Sequence, residues 1–366
     1  MNMPANVLTQ ANKEWSSRPL EERFISLDSM QEHFDILRDH SRSAVVSSRA
    51  VFARPSPDNQ GLLIAGPSGA EYTPTHHAFG QLATLAGAPA GYLRNLPAPM
   101  AADCINFGLQ VDRDIEDVGL LLTRHNGAPV IRAATGPRYG RVWNSDVIRA
   151  LRDRFGDGVT GAFRVPGEFG AHVDVTRANT TLYASDQDFF VFLADEQNRI
   201  VVPGRRDGQS GTLARGFFVS NSEVGAGSLK IRTFLFDYVC SNRIVWGADN
   251  VQELSIRHTA SAPDRFLEQV QPALLEYAQS SAAGIESTLR SAQAMKLDKV
   301  ADFLAKRFGP RVAARIEAAH VLDEGRPIET VWDAVTGATA YARSIPFTAA
   351  RVEFEAQAGD MLKLAA

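Results

Sequence analysis

The sequence predicts an α+β protein: a mixed, mainly antiparallel β core with flanking helices and a helical C-terminal third. Three observations predict it. Residues 213–247 hold the densest run of strand formers, with Phe217–Val219 before a polar loop, Ser220-Asn221-Ser222-Glu223, and Leu229, Ile231, Phe234 and Phe236 after it. Short apolar runs separated by Gly, Pro, Asn and Asp recur from Ser43 to His258. After His258 the chain becomes alanine-rich, its apolar residues fall at helical spacing, and strand signals nearly vanish. This divides the chain into an N-terminal arm and helix (1–41), a core domain (42–258) and a helical region (259–366).

Taken in order, Asp28 or Ser29 is expected to cap a helix to His40 with Met30, Phe34 and Leu37 on one face. Ser43–Ala53 and Gly61–Ala65 read as strands around a Pro- and Asp-containing turn. Thr73-Pro74-Thr75 opens a helix with Phe79, Leu82 and Leu85 inward, ended by Gly87. A second helix is expected from Pro99 to Gln110. Gly119–Thr123 and Val130–Ala134 flank His125-Asn126-Gly127, a hairpin signal. Asn144 or Ser145 is expected to cap a helix to Phe155. Further short strands are expected within 158–183, at Phe189–Ala194, in the Phe-rich stretch and near Val251–His258. Helices follow near 262–295, 298–308, 310–320, 328–343 and 347–360, punctuated by Gly309-Pro310 and Gly325-Arg326-Pro327.

The net charge of −4 and pI near 6.1 weaken any reading in which the whole surface binds nucleic acid, while leaving room for a local basic groove. No apolar run is long enough for a membrane span and no signal peptide is expected, so a cytoplasmic protein without a membrane partner is the expectation. Cys104 and Cys240 lie far apart in apolar contexts and read as buried thiols. His172 with Asp174, and Asp186 with Asp188, share strand faces, but two ligands do not make a metal site. No nucleophile elbow, cysteine–histidine signature or phosphate loop is present, so the reading leans away from an enzyme and calls for no metal or cofactor. Asp174, Asp186, Asp188, Glu223 and His172 are the candidates should a dispersed catalytic site exist.

Arginines interleaved with aromatics are the remaining chemical signal. Arg132, Arg138, Tyr139, Arg141 and Trp143 fall close together, and Arg205, Arg206 and Arg232 follow in the same core. Guanidiniums can follow a phosphate backbone while aromatic rings stack on bases, so these residues form the candidate nucleic-acid-binding set. Ser220, Asn221, Ser222, Glu223 and Gly225, with Asn242, form a candidate structural or partner-contacting loop. Its short polar side chains fix backbone geometry first and could donate hydrogen bonds to a partner second.

Four segments resemble a known family, the phage/plasmid-like proteins of unknown function carried by bacteriophages, prophages and conjugative plasmids. They are QLATLAGAPAGYLRNLP at 81–97, VIRAATGPRYGRVWNSDVIRAL at 130–151, Ser220–Gly225 with Cys240-Ser241-Asn242, and Thr330–Tyr341, where Asp333 stands in place of the family's asparagine. The resemblance implies a mobile-element origin and life in the cytoplasm of a bacterial host. Together with the arginine–aromatic set it leads to the expectation of a non-enzymatic protein of phage or plasmid nucleic-acid metabolism, most concretely one that binds or anneals single-stranded DNA in replication or recombination. An interaction module that inhibits a host defence or restriction factor, with a host or phage protein as partner, is one alternative. An enzyme of unrecognised type is the other. Annealing proteins often assemble, so a homo-oligomer is expected by analogy.

Overall fold

The β residues sort into two sheets, and helices cover an outer face of each. The computed structural model describes residues 18–66, 69–111, 116–125, 127–166, 174–203, 210–237, 243–244, 254–280, 283–345, 354–355 and 357–365. The class is α+β, with a helical C-terminal part.

The N-terminal elements are β1 (Arg23–Phe24), α1 (Leu27–Asp39), β2 (Arg42–Ser47), β3 (Phe52–Pro55), β4 (Leu62–Ala65), β5 (Glu71–Pro74), α2 (His76–Leu85), α3 (Ala90–Leu93), α4 (Ala98–Gln110), β6 (Asp117–His125) and β7 (Ala128–Thr135). Strands β2 to β7 form a six-stranded sheet in the order β2-β6-β7-β5-β4-β3, antiparallel except for the β5–β7 pair. The β6–β7 hairpin turns at Gly127, whose φ of 81° is a left-handed conformation that favours glycine. Helices α2 and α4 bury Leu82, Ala83, Ala102, Ile105 and Leu109 against Val118, Leu120 and Ile131 of the sheet. Asn106 of α4 fixes the sheet edge by accepting from the Ala53 N–H at 2.7 Å and donating to the Ala53 carbonyl at 2.8 Å.

One helix start here departs from expectation, and a second uses one of the two threonines expected to cap it. α1 begins at Leu27, ahead of the expected Asp28 or Ser29 cap, because Ser26 caps it and Ser29 reciprocates in a capping box. In α2, Thr75 is the cap, while Pro74 closes β5, where its missing N–H is harmless.

The second half holds α5 (Asn144–Phe155), β8 (Phe163–Arg164), β9 (Leu182–Ala184), β10 (Phe189–Asp195), β11 (Ile200–Val202), β12 (Gly211–Asn221), β13 (Leu229–Asp237), β14 (Arg243–Ile244) and β15 (Leu254–Ile256). The second sheet is built on the long β10–β12–β13 antiparallel core, with β1 reaching it through β9. One face carries Phe189, Val191, Leu193, Phe217, Val219 and Ile231 against α1, α5 and the helices after β15. Those are α6 (Ala262–Arg265), continued through a π turn at Phe266–Val270 into α7 (Gln271–Gln279). The expected single helix over 262–295 is broken near residue 280, and α8 (Ala283–Ala294) follows.

The remaining helices, α9 (Val300–Phe308), α10 (Pro310–Glu324) and α11 (Val331–Ala342), pack with α8 around Trp332 and onto β11, β12 and β13. α11 starts from a capping box between Thr330 and Asp333. Asp333 also takes a two-pronged ion pair from Arg326, at 2.6 and 2.9 Å. That pairing outweighs the upward push of burial and holds the carboxyl below the usual carboxylate range. Gly337 permits the close approach of α10 and α11: a Cβ there would lie 2.9 Å from His320 Cβ. Among the described residues no helix is long and apolar enough to cross a membrane.

Candidate functional site

The two sheets meet where β12 ends. Ser220, Asn221, Ser222 and Glu223 are all at most 3% exposed. Ser220 and Asn221 still belong to β12, and the turn proper begins at Ser222. Most polar groups here are engaged across the sheet boundary, as burial demands, while the Asn221 Oδ1 is buried without a hydrogen-bond partner. The Glu223 carboxylate takes the Arg132 guanidinium at 2.7 Å on Oε1 and the Asn144 backbone N–H at 2.9 Å on Oε2. Its backbone carbonyl accepts from Arg141. Asn221 donates to the Val142 carbonyl at 2.9 Å and to Asn144 Oδ1 at 2.8 Å. The Ser222 hydroxyl donates to the Gln187 carbonyl at 2.6 Å and accepts from the Ala226 N–H at 2.8 Å. Gln81 of α2 donates to the Val224 carbonyl at 2.8 Å and accepts from the Ala134 N–H at 2.9 Å, which ties the turn to β7.

A β-bulge in the β6–β7 ladder beside Leu121 and Leu122 leaves Arg132 as the extra residue of β7. The bulge aims its guanidinium at Glu223. That pair also explains the start of α5. Neither Asn144 nor Ser145 is its cap. The residue before the helix is Trp143, which has no side-chain cap bond, and the acceptor at the helix N-terminus is the Glu223 carboxylate. The positive end of the helix and Arg132 both favour the negative charge there.

The connection from β7 to α5 wraps this latch. Tyr139 donates from its hydroxyl to the Ser222 carbonyl at 2.9 Å and stacks on the His258 ring with centroids 5.0 Å apart. Burial raises the Tyr139 hydroxyl well above its ordinary pKa, so it remains a donor. Burial, aided by the Arg141 charge, lowers the His258 imidazole below its usual value, although Gly140 O lies 3.1 Å from Nδ1. Gly140 sits so close to the Thr259 carbonyl that a Cβ would come within 1.9 Å of it.

Outward from the latch lies a cleft of about 500 Å³ between α5 and the α6–α7 segment. Arg38, Arg141, Arg149 and Arg154 line it, with Trp143, Asp146 and Asp153 among them, and Phe266 and Leu267 form an apolar side. Arg38 lies over one part of the Trp143 ring at 5.2 Å and Arg141 over it at 5.6 Å. Asp146 holds Arg38 at 2.5 Å and Arg149 at 3.6 Å. Four guanidiniums face two carboxylates, so the cleft is net positive on a chain that is net negative.

The structure therefore divides the predicted set. Arg141 and Trp143 share the cleft, half-buried, with Tyr139 stacked beneath Arg141 at 5.2 Å. Arg138 is exposed on the adjoining turn. Arg132 has a different place from the one expected: it is 5% exposed, and its charge is committed to Glu223. Asn221 and Ser222 likewise hydrogen-bond inside the protein, and Ser220 is buried in the β12 ladder beside them, so none presents a donor at the surface. Gly225, at φ 91°, closes the turn with its Cα face against Gln81. Arg232 pairs with Phe218 on the sheet face opposite the one that packs on α5, so it is not part of the cleft. Arg205, Arg206 and Asn242 lie outside the described residues.

Arg38, Arg149 and Arg154 were not in the predicted site set. Arg149 and Arg154 carried a local signal, since they stand on the polar side of α5. Arg38 carried none, because only tertiary packing of α1 on α5 brings it to Trp143. Among the described residues no group of three or more His, Cys, Asp and Glu is placed to hold a metal ion. Of the carboxylates considered for a dispersed site, Asp188 is paired with Arg18 at 2.6 Å and Glu223 with Arg132.

No curated protein and no solved structure matches the chain. A family model does: residues 133–349 match the one described as "Domain of unknown function (DUF932)". The matched span opens on β7 just after Arg132 and takes in the latch turn, the cleft-bearing helix α5 and the α11 capping box. Because that span covers more than half of the sequence, the chain belongs to the DUF932 family.

Proposed function

We propose that this protein binds single-stranded nucleic acid in the cleft around Trp143, as a non-enzymatic component of phage or plasmid replication or recombination. The observation that supports it is the Trp143 ring held among Arg38, Arg141, Arg149 and Arg154 in a net-positive cleft. An aromatic face gives a sequence-tolerant platform for a base, and guanidiniums around it can take the flanking phosphates. The apolar side at Phe266 and Leu267 suits the second face of a base. The phage and plasmid context rests on the four family-like segments.

Fluorescence anisotropy with a labelled oligothymidine across a salt series tests this. Binding is expected to weaken linearly in log–log form, with a slope of about −0.7 per phosphate neutralised. Trp143→Ala is expected to weaken binding by about 1–3 kcal/mol, the range for one stacked base. Arg154→Ala is expected to reduce the salt slope by roughly one phosphate. A Kd weaker than about 10 µM at low salt, or one indifferent to salt, overturns the proposal.

A second reading, a module that engages a host or phage protein, is favoured by the outer side of α4. Phe107 there is 72% exposed and Met100 54% exposed, one above the other at helical spacing. It predicts a stoichiometric partner that is retained by the wild-type protein and lost with Phe107→Ser, while oligonucleotide binding stays unchanged.

A further inference from the structure

Among the described residues strand β2 is an open edge, and its register makes it self-complementary. It pairs with β6 on one side, Arg42 opposite Leu122 through Ser47 opposite Asp117. The next pair in the same register, Ser48 with Glu116, is joined by the Ser48 N–H donating to the Glu116 carbonyl at 2.9 Å. Alternation along an antiparallel ladder then assigns Arg42, Ala44 and Val46 to the bonds with β6. It leaves the N–H and C=O groups of Ser43, Val45 and Ser47 pointing away from β6. Those three residues are exposed, Val45 at 60%.

The strand carries none of the usual protections between Ser43 and Ser47: no charge, no proline and no bulge. The opposite edge of the same sheet, β3, has both Arg54 and Pro55.

We infer that two copies of this chain pair through β2, antiparallel about a two-fold axis at Val45, to make one continuous twelve-stranded sheet. In that register Val45 meets its own symmetry mate, and Ser43 meets Ser47 of the second copy. Each of these residues can exchange both backbone bonds with its opposite number. Ala44 lies across from Val46, and Arg42 from Ser48, so no like charges face each other. A one-residue slip would turn the outward backbone groups of one strand towards the carbonyls and amides already used by β6, and a two-residue slip would leave Ser43 or Ser47 of each strand without an outward-facing partner in β2, so the register centred on Val45 pairs the most outward groups.

The pairing has a consequence for the cleft, and only this part rests on the nucleic-acid reading. Val45 and Ser43 share a sheet face with Leu121, which lies opposite Ser43 and on which Trp143 packs. A two-fold axis perpendicular to the sheet keeps both copies of that face on one side. The two Trp143 clefts then open the same way, with the Leu121 residues beneath them on the order of 20 Å apart from strand spacing and rise. One single strand could cross both.

Sedimentation equilibrium of the full chain at tens of micromolar tests the pairing. The wild-type mass is expected at about twice 39.8 kDa. Val45→Pro removes an N–H that serves only the outer edge, and is expected to give the single-chain mass with an unchanged circular dichroism spectrum. Val45→Lys and Val45→Glu are each expected to be single chains, and their equimolar mixture to recover the doubled mass. A wild-type protein of single-chain mass overturns the inference. So does a dimer that survives Val45→Lys, or a charge-swapped mixture that stays single. A β2 dimer that ignores oligonucleotides leaves the pairing standing and removes the proposed function, whereas a wild-type single chain that binds them does the reverse.

Discussion

Replacing Glu223 with alanine would strip the junction between the two sheets of the carboxylate that holds Arg132 and the start of α5. The Glu223 and Arg132 side chains are 3% and 5% exposed, and their contact is 2.7 Å. Removing one member of such a pair leaves a guanidinium in a site built to neutralise it, a loss of about 3–5 kcal/mol. The Asn144 N–H at the start of α5 loses its acceptor as well, worth about 1–3 kcal/mol when buried. The two losses share one site and are not additive, so about 5 kcal/mol is expected, against a total stability on the order of 5–15 kcal/mol for a folded domain. The assay is urea unfolding followed by circular dichroism. Glu223→Gln keeps an acceptor for Asn144 and should recover only that share. The Arg132→Met/Glu223→Leu double variant removes both charges and should lie well above either single variant. A cost below about 1 kcal/mol for Glu223→Ala, the value of an exposed ion pair, would refute the assignment of this pair as the latch.

Three further outcomes follow from the same geometry. Gly140→Ala forces a Cβ onto the Thr259 carbonyl and is expected to cost at least about 2 kcal/mol in the same unfolding assay, with no change expected for Gly136→Ala, where space is open. Thr330→Ala removes the α11 cap and is expected to cost about 1 kcal/mol. The His258 imidazole is depressed by burial, so the folded protein binds its proton more weakly than the unfolded chain does. The stability it contributes is fully present above the unfolded value of about 6.5 and is lost as the pH falls through that value towards the folded one. The urea midpoint should therefore drop between neutral pH and mildly acidic pH, and less steeply for His258→Asn.

Much of the architecture was legible in the residues themselves. Alternation and turn chemistry marked the β6–β7 hairpin, β10 and the β12–β13 pair, because those partners are neighbours in sequence and each strand carries its own face. The helices α9, α10 and α11 were bounded by Gly309-Pro310 and Gly325-Arg326-Pro327, since glycine and proline act on their own backbone wherever they stand. The polar turn after β12 was also visible as a run of short polar side chains, and Asn221, Ser222 and Glu223 there bond to backbone groups of neighbouring segments.

Tertiary structure decided the rest, and the reason is the same in each case. A residue's type and periodicity report which face it prefers, not what will cover it. Nothing local distinguishes Arg132, sealed against Glu223, from Arg141 nine residues later at the edge of a cleft. Nothing local says that a carboxylate at position 223 will serve as the acceptor for a helix that starts at 144. The division of the strands into two sheets depends on the parallel β5–β7 contact and on β1 reaching β9, pairings between distant segments that no window of sequence contains. By itself the sequence determined the α+β class, the hairpins, the glycine–proline breaks between the C-terminal helices and the existence of an arginine–aromatic cluster. Which of those arginines meet around Trp143 was decided only when α1 packed on α5, because charge pairing and desolvation depend on distances in space.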